Sequence, residues 1–235
     1  MRLLMMMLLT LEALHPCYAR QYPVQLGNTT VLIVQERHGK GKSFIHVHQN
    51  ETTALQAART VIRHQGGSLI TLKHPGERNI SFMLHHKHYE FDPNRIFTYR
   101  GIYRTLHENG HYSKAAHRRV KHLAARIVSL LPKGKIIAVH NNEYFSLRDY
   151  LPGQDLAEEA RRLHFSDQAH YRNFFIVTQK HDFDRLKALK FNSIWQAKSA
   201  QDDGSLSIRL MKRHYVNVEA GYDQLDHQIN MLRQA

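Results

Sequence analysis

Cysteine is almost absent from this 235-residue chain, which contains only Cys17. A single cysteine excludes a disulfide framework within the chain. The sequence also lacks internal repeats and low-complexity linkers, which favours one globular domain. Its hydrophobic content of 42% is enough for a sizeable core and argues against disorder.

Acidic residues are scarce, with 20 Asp and Glu against 33 Lys and Arg and a formal net charge of +13. This balance implies attraction to something acidic, such as a cell-wall polymer, an anionic lipid, a nucleic acid or a carboxylate substrate. Many basic residues fall on one face of a predicted helix that follows Ser113. No aromatic side chains that would stack bases are interleaved with them, so the pattern favours a solvated surface over a nucleic-acid site.

The chain has one long apolar run, Met1–Thr10, which contains a single positive charge. Small residues at Cys17 and Ala19 occupy the two positions that a signal peptidase reads. We therefore predict a signal peptide over residues 1–19 and a catalytic domain over 20–235. The protein would be periplasmic or secreted, without a transmembrane segment or a cysteine after processing. The alternative is a buried N-terminal helix.

Alternating strand and helix patterns predict an α/β fold, namely a mixed, mostly parallel twisted sheet with helices on both faces. The predicted strands are 31–34, 44–48, 68–72, 80–84, 87–91, 135–140, 174–178, 193–196, 208–211 and 215–218. The predicted helices are 51–64, 113–131, 156–163, 182–190, the last of which Asp182 would cap, and a final one with an apolar side from 222 to 232. The order over 44–72 indicates a parallel crossover, and Gly39–Lys42 indicates a hairpin. Periodicity leaves open whether 80–91 is one strand or two.

The pair His48 and Glu51 is the first candidate for chemistry. His48 ends an apolar strand and Glu51 opens an amphipathic helix, so both side chains can reach one point. Zn²⁺ takes nitrogen and oxygen donors at about 2.0–2.2 Å, which suits this pair. Two more His-x-x-Glu pairs, at 74–77 and 140–143, show that the motif alone is weak. The strand and helix on either side distinguish the first copy.

Further residues at predicted strand ends complete a hydrolase-like set. His140 supplies a third ligand, and three protein ligands plus water are typical of a catalytic zinc. Arg95 can hold a carboxylate through two parallel hydrogen bonds, beside the amide of Asn94. Glu219 can take a proton from the attacking water. Each has a plainer interpretation as a packed histidine, a turn or a solvated glutamate, but their joint placement favours a site.

In this order the motifs resemble the zinc metallocarboxypeptidase superfamily, and within it the succinylglutamate desuccinylase and aspartoacylase branch. The resemblance covers about residues 31–222. It is carried by His48-Gln-Asn-Glu51, Asp92-Pro-Asn-Arg-Ile-Phe97, His140 and Glu219. It implies Zn²⁺ held by His48, Glu51 and His140, carboxylate recognition by Asn94 and Arg95, and Glu219 as the general base.

The sequence also departs from the family pattern. The glycines that usually precede His-x-x-Glu are missing from Ile45–Glu51. An arginine that the family often has before the second motif would fall near Lys87, and Arg78 is the candidate substitute for polarising the scissile carbonyl. The tyrosine that many members add to the site would be one of Tyr144, Tyr215 and Tyr222.

The leading prediction is a zinc-dependent hydrolase that cleaves an amide or peptide bond adjacent to a free carboxylate. Its substrate would be a peptide, including cell-wall peptides, or an N-acyl amino acid. The alternative is a non-catalytic, histidine-rich metal-binding secreted protein, suggested by 19 histidines and the segment Leu84–His88. Alternating histidines on an exposed strand bind copper or zinc without chemistry. That role gives no reason for Asn94, Arg95 and Glu219.

Overall fold

Strands and helices alternate along residues 17–235, the part of the chain that the computed structural model describes. The strands are β1 (Cys17–Leu26), β2 (Thr29–His38), β3 (Lys42–His46), β4 (Gly67–Lys73), β5 (Ile80–Leu84), β6 (Lys87–Phe91), β7 (Ile136–Asn142), β8 (Ala160–His164), β9 (Phe174–Val177), β10 (Ser193–Gln196) and β11 (Tyr215–Gly221). The helices are α1 (Thr52–Gln65), α2 (Tyr99–Glu108), α3 (Lys114–Leu130), α4 (Lys180–Ala188), α5 (Leu206–Arg209) and α6 (Leu225–Gln234). Short 3₁₀ turns occupy Pro93–Arg95, Leu147–Tyr150 and Ala157–Glu159.

Nine of these strands form one mixed sheet in the order β1-β2-β4-β3-β7-β11-β9-β10-β8. The central strands β4, β3, β7 and β11 are parallel. Antiparallel pairs join β1 to β2, β2 to β4, β9 to β11 and β8 to β10. The predicted mixed α/β sheet is therefore confirmed, with three of its four parallel pairs at the centre and the fourth between β9 and β10.

Three hydrophobic clusters occur in the described part of the chain, and the two larger ones lie on opposite faces of the sheet. Successive residues of a strand point to opposite faces, and in β3 Phe44 joins one core while Ile45 joins the other. The core on the Phe44 side includes the buried residues of α1 and α6, and the core on the Ile45 side includes those of α2 and α3. Helices therefore lie on both faces, as the sequence predicts.

The elements with strong local signals form as predicted. β3, α1 and β4 make a parallel crossover, and α1 ends at Gly66, whose φ of 74° lies in the left-handed region that glycine adopts easily. The Ser113 hydroxyl accepts a hydrogen bond from Ala116 N and caps α3. The crossover and the capped helix are both confirmed.

The predicted hairpin at Gly39–Lys42 is wrong, because this turn joins two strands that are not neighbours. β4 lies between β2 and β3, antiparallel to the first and parallel to the second. The outer partner of β2 is β1, which sequence patterns did not identify and which pairs along all ten residues of β2. The return of the chain through α1 therefore decides the strand order.

Two other predicted elements change type. Residues 156–163 were predicted as a helix but form a 3₁₀ turn followed by β8, which is stabilised by antiparallel pairing with β10. Residues 208–211 were predicted as a strand, but α5 occupies Leu206–Arg209 and is capped by the Ser205 hydroxyl. In both segments contacts with distant residues or a capping side chain override weak periodicity.

Residues 80–91 form two strands, β5 and β6, which pair antiparallel as a separate two-stranded sheet. His85 and His86 make the tight turn, with φ values of 51° and 59°. Only His88 of this histidine segment lies in a strand. The exposed strand with alternating histidines, on which the metal-buffer alternative depends, is therefore not formed.

Asp182 was predicted to cap a helix, but it lies inside the first turn of α4, and its side chain is buried. Its carboxylate accepts hydrogen bonds from Lys135 Nζ at 2.9 Å and from His214 Nε2 at 2.6 Å, and His181 and Arg185 approach it at 3.6 Å. Burial alone would raise the pKa of Asp182, but Lys135 and His214 lower it below its ordinary value. The aspartate is the counter-ion of a basic cluster.

Replacing Asp182 with asparagine is expected to lower the free energy of unfolding by about 1–3 kcal/mol at pH 7, because the cluster loses its counter-ion. A depressed pKa adds stability above the unfolded-state value of about 3.9, and this stability disappears as the pH falls through the folded-state value. The difference from the wild type should therefore shrink in acid. Denaturant titrations at several pH values measure it, with Asp184→Asn, in an exposed pair with Lys180, as the control. Equal losses in both variants would contradict the assignment.

The predicted signal peptide lies for the most part outside the described residues. Its proposed cleavage point, after Ala19, falls within β1. Among residues 17–235, no helix combines the length and the apolar character needed to cross a membrane.

Candidate metal centre

Three neighbouring parallel strands bring the predicted site residues to one edge of the sheet. His48 and Glu51 follow β3 directly, β7 contains His140, and β11 contains Glu219. His140 and Glu219 are directly paired in the β7–β11 register. The carboxyl ends of parallel strands meet at one edge, where open α/β sheets bind ligands.

The turn between β3 and α1 is fixed by short-range contacts. Glu51 N donates to His48 O at 3.0 Å, and a ring nitrogen of His46 contacts Glu51 O at 2.9 Å. The Gln49 amide bonds the backbone of His74 and Gly76, which ties the turn to the segment after β4. Glu51 therefore turns its side chain into the site.

His48, Glu51 and His140 converge with all three side chains buried. His48 Nδ1 lies 2.9 Å from one oxygen of Glu51, His140 Nδ1 lies 2.9 Å from the other, and the two nitrogens are 3.3 Å apart. In a tetrahedral zinc site with bonds of about 2.0–2.1 Å, neighbouring donor atoms are about 3.3–3.4 Å apart. The donor types and the distance between the two nitrogens therefore fit a zinc ion that these residues could hold, and the two shorter N–O distances are those of hydrogen bonds.

Asp92 fixes the orientation of His48. Its carboxylate accepts a hydrogen bond from His48 Nε2 at 2.7 Å, which leaves Nδ1 as the ring nitrogen with a free lone pair. That lone pair points at a carboxylate oxygen of Glu51, an arrangement that needs a cation or a proton between them. Burial alone would lower the pKa of His48, but Glu51 and Asp92 raise it to about 9. The two carboxylates thus favour a positive charge beside His48, carried by a proton or by a metal ion.

Glu51 is held by more than the two histidines. It accepts hydrogen bonds from Arg78 Nη1 at 2.8 Å and from Asn141 N at 3.2 Å. Burial alone would raise the pKa of Glu51, but His140 and His48 hold it well below its ordinary value. Arg78, predicted to polarise a carbonyl, is half-exposed and lines the same cavity as the three residues.

The cluster lies on the wall of a cavity of about 580 Å³ that also contains Glu219. The side chain of Glu219 is buried and accepts hydrogen bonds from Asn217 Nδ2 at 3.0 Å and Asn142 Nδ2 at 3.3 Å. These donors fix both carboxylate oxygens beside the cluster. Sequence patterns did not identify either asparagine, although both lie in strands that carry predicted site residues.

Asn94 and Arg95 also line this cavity. Asn94 Oδ1 accepts a hydrogen bond from Leu206 N at 3.4 Å. Arg95 is not free, because its Nη1 is paired with Asp203 across 108 residues of sequence. The predicted carboxylate-binding residues thus share the cavity with an aspartate that no sequence signal identified.

A close backbone contact places Asp203 beside Arg95. Gly204, with φ of 84°, packs its Cα against Gly101, where a Cβ would lie 2.3 Å from that atom. Phe97 N donates to Gly204 O at 2.9 Å. Glycine at both positions therefore lets the Asp203 loop approach the start of α2.

Four tyrosines line the cavity, and they include all three candidates from the sequence. Tyr144 has a side chain that is 91% exposed, Tyr215 is buried, and Tyr222 is intermediate between them. The fourth, Tyr150, was not identified from the sequence and is buried. Burial, followed by the carboxylates of Glu219 and Asp203, raises the pKa of Tyr215, so its phenol stays protonated near neutral pH.

Comparisons with known proteins give one structural match. No family model matches the sequence, and no curated protein sequence matches it. The structure is similar to the crystal structure of an aspartoacylase family protein from Mesorhizobium loti, with a TM-score of 0.44 and 15% sequence identity. The match covers 97% of this chain and 68% of that protein.

Proposed function

We propose that the protein is a zinc-dependent hydrolase that cleaves an amide bond next to a free carboxylate. The observation that carries the proposal is the convergence of His48, Glu51 and His140 on the wall of a cavity that also holds Glu219 and Arg95. Three protein ligands with an open fourth position are typical of a catalytic zinc rather than a structural one.

Each residue has a role that follows from its position. A zinc ion, when bound, would polarise the substrate carbonyl and lower the pKa of water at the open position. Glu219, fixed by two amide groups, accepts the proton of the attacking water and passes it to the leaving amine. Arg78 donates to the carbonyl oxygen as negative charge develops there. Arg95 and Asn94 hold the substrate carboxylate.

Two substrate groups satisfy this arrangement, namely peptides with a free carboxyl terminus and N-acyl amino acids. The proposed signal peptide over residues 1–19 would export the protein to the periplasm or the exterior, where cell-wall peptides are available. The net charge of +13 would favour contact with an anionic wall polymer. Export therefore favours the peptide substrates.

The test begins with metal analysis of the purified full chain. We expect one zinc per protein, removable by a chelator and needed for activity. A panel of peptides with free carboxyl termini, their amidated counterparts and N-acyl amino acids then measures hydrolysis. A protein that binds one zinc but cleaves none of these compounds would contradict the proposal.

The Arg95→Ala variant is expected to bind free-carboxylate substrates about 2 kcal/mol more weakly than the wild type. The value is at the low end for a charged partner, because the Arg95 side chain is 42% exposed. The loss also leaves Asp203 without its counter-ion and so adds repulsion against a carboxylate. Steady-state kinetics should show the effect in KM, with amidated substrates changed much less.

Arg100→Ala is the matched control for this variant, because Arg100 is exposed on α2 and does not line the cavity. Its kinetics should equal those of the wild type. If Arg95→Ala cleaved a free acid and its amide with unchanged rates, the carboxylate role would be wrong.

A further inference from the structure

The charge of the cavity is opposite to that of the chain. Five carboxylates line it against two guanidinium groups; the acidic residues are Glu51, Asp92, Glu143, Asp203 and Glu219, and the basic ones are Arg78 and Arg95. A bound divalent ion would still leave one excess negative charge. A substrate that carries only carboxylates therefore suits this cavity poorly, and a substrate that also carries an ammonium group suits it well.

Arg95 and Asp203 place a positive and a negative side chain next to each other, and together they can bind a ligand that carries both charges. Arg95 uses Nη1 for Asp203, and within residues 17–235 its Nε and Nη2 donate to no other group. These free donors can bind a carboxylate, while Asp203 can bind an ammonium beside it. Both side chains are about 40% exposed, so a ligand can reach them.

Two buried asparagines hold Glu219 in a fixed position at the cavity. The Nδ2 groups of Asn142 and Asn217 donate to Glu219, which can only accept, so the orientation of each amide is fixed. Their Oδ1 atoms have no hydrogen-bond partner among the described residues, although both side chains are more than 90% buried. Both oxygens are covered by protein atoms and offer a ligand no direct contact, so the case for an ammonium rests on Asp203 and on the acidic lining of the cavity.

Asp203 and Glu219 line the same cavity. The charges of both Glu219 and Asp203 act, after burial, to raise the pKa of Tyr150 and of Tyr215. Both acidic side chains and both phenols line the same cavity. An ammonium bound there would be near Asp203 and also near the asparagines that hold Glu219.

From this arrangement we infer that the substrate presents a free α-amino acid group, with its carboxylate on Arg95 and its ammonium on Asp203. The inference rests on the proposed hydrolase function and narrows its substrate class. In the proposed hydrolysis the part that carries the carboxylate leaves as an amine, and its α-amine is free, so the scissile amide is on a side-chain amine. The substrates are therefore diamino acids acylated on the side-chain amine, in which the acyl group is a small acid or the carboxyl end of a peptide.

The reaction is an ordinary hydrolysis. The oxygen of water bonds to the acyl carbon as the bond from that carbon to the side-chain nitrogen breaks. One proton of the water passes through Glu219 to the leaving amine, and the acyl group leaves as a carboxylic acid. No oxidant, reductant or further reactant is needed.

A matched series of small amides tests the inference on the zinc-loaded full chain. Nε-acetyl-lysine has both groups of the α-amino acid, 6-acetamidohexanoate lacks only the α-ammonium, and Nα-acetyl-lysine has the α-amine blocked. We expect kcat/KM for the first to exceed that for each of the others by about tenfold or more, as the loss of one hydrogen bond to a charged group gives.

The Asp203→Asn variant should reduce this preference to about twofold or less, because it removes the charge but keeps an oxygen that can accept from Ser205 N. Asp202→Asn is the matched control. Asp202 is the adjacent residue, accepts from Thr98 Oγ1 and Gly204 N, and does not line the cavity. The Asp202→Asn variant should prefer Nε-acetyl-lysine as strongly as the wild type does. Thermal unfolding of both variants checks that they fold.

A binding measurement separates this inference from the hydrolase proposal. Free lysine should bind about tenfold more tightly than 6-aminohexanoate by calorimetry, and Asp203→Asn should remove the difference. Equal binding of the two compounds, or faster cleavage of either competing amide, would overturn the inference and leave the hydrolase proposal intact. Selective binding of lysine with no cleavage of any amide would support the inference and overturn the hydrolase proposal.

Discussion

Replacing Glu219 with glutamine is expected to lower turnover by about 10²–10⁴-fold, the usual contribution of a general base. Glutamine is nearly equal in shape but cannot take a proton from water. Zinc content should stay at the wild-type level, because Glu219 is not among the three converging ligands. Pre-steady-state and steady-state rates, measured beside metal analysis on the same samples, check both statements.

Glu143→Gln is the matched control for Glu219→Gln. Glu143 lines the same cavity but is exposed, so the same change should leave turnover close to that of the wild type. Loss of zinc from Glu219→Gln would make Glu219 a ligand and reopen the role of Glu51. Full activity of Glu219→Gln would mean that another group is the base.

Replacing His140 with alanine is expected to weaken zinc binding by more than about 100-fold, since loss of a group that only orients a ligand already costs 10–100-fold. Only His48 and Glu51 would remain of the three donors. Activity should fall with zinc occupancy. Competition with a chromogenic chelator measures the affinity.

His74→Ala is the control for His140→Ala, because it also removes a buried imidazole near the site. Within the described residues, neither ring nitrogen of His74 has a hydrogen-bond partner, and the residue is not among the converging donors. Burial and the nearby His48 lower the pKa of His74 to about 4, so it is neutral and carries no charge that affects the ion. Zinc affinity unchanged in His140→Ala, or lost in His74→Ala, would contradict the assignment.

The sequence predicts those parts of the fold whose signals are local. Ser113 caps α3, Gly66 ends α1, and the apolar segments on either side of α1 form adjacent parallel strands. In each case the deciding interaction lies within a few residues or within one crossover. The meeting of His48, Glu51 and His140 follows from the same reasoning, because parallel strands bring their carboxyl ends together.

Features that depend on distant residues could not be predicted in this way. Nothing in the segment Gly39–Lys42 indicates that β4 will lie between β2 and β3, the two strands that this segment joins. β8 is a strand because of its pairing with β10, and its own pattern reads equally well as a helix. Asp92 was identified as part of a turn, yet its contact with His48 spans 44 residues, and the Arg95–Asp203 pair spans 108. Side-chain partners at these separations leave no periodic trace in a single sequence.

The arrangement of the metal centre on adjacent strands has a consequence for the order of folding. His48 and His140 are 92 positions apart and meet only after β3 and β7 have paired. Loop closure over that distance is slow compared with local helix formation, so α1 and α3 can form while the centre is still incomplete. A chain that has not yet joined the two halves of its sheet cannot bind the ion tightly. Zinc would therefore bind late in folding and would stabilise the chain only after the sheet is complete. It would slow unfolding more than it speeds folding.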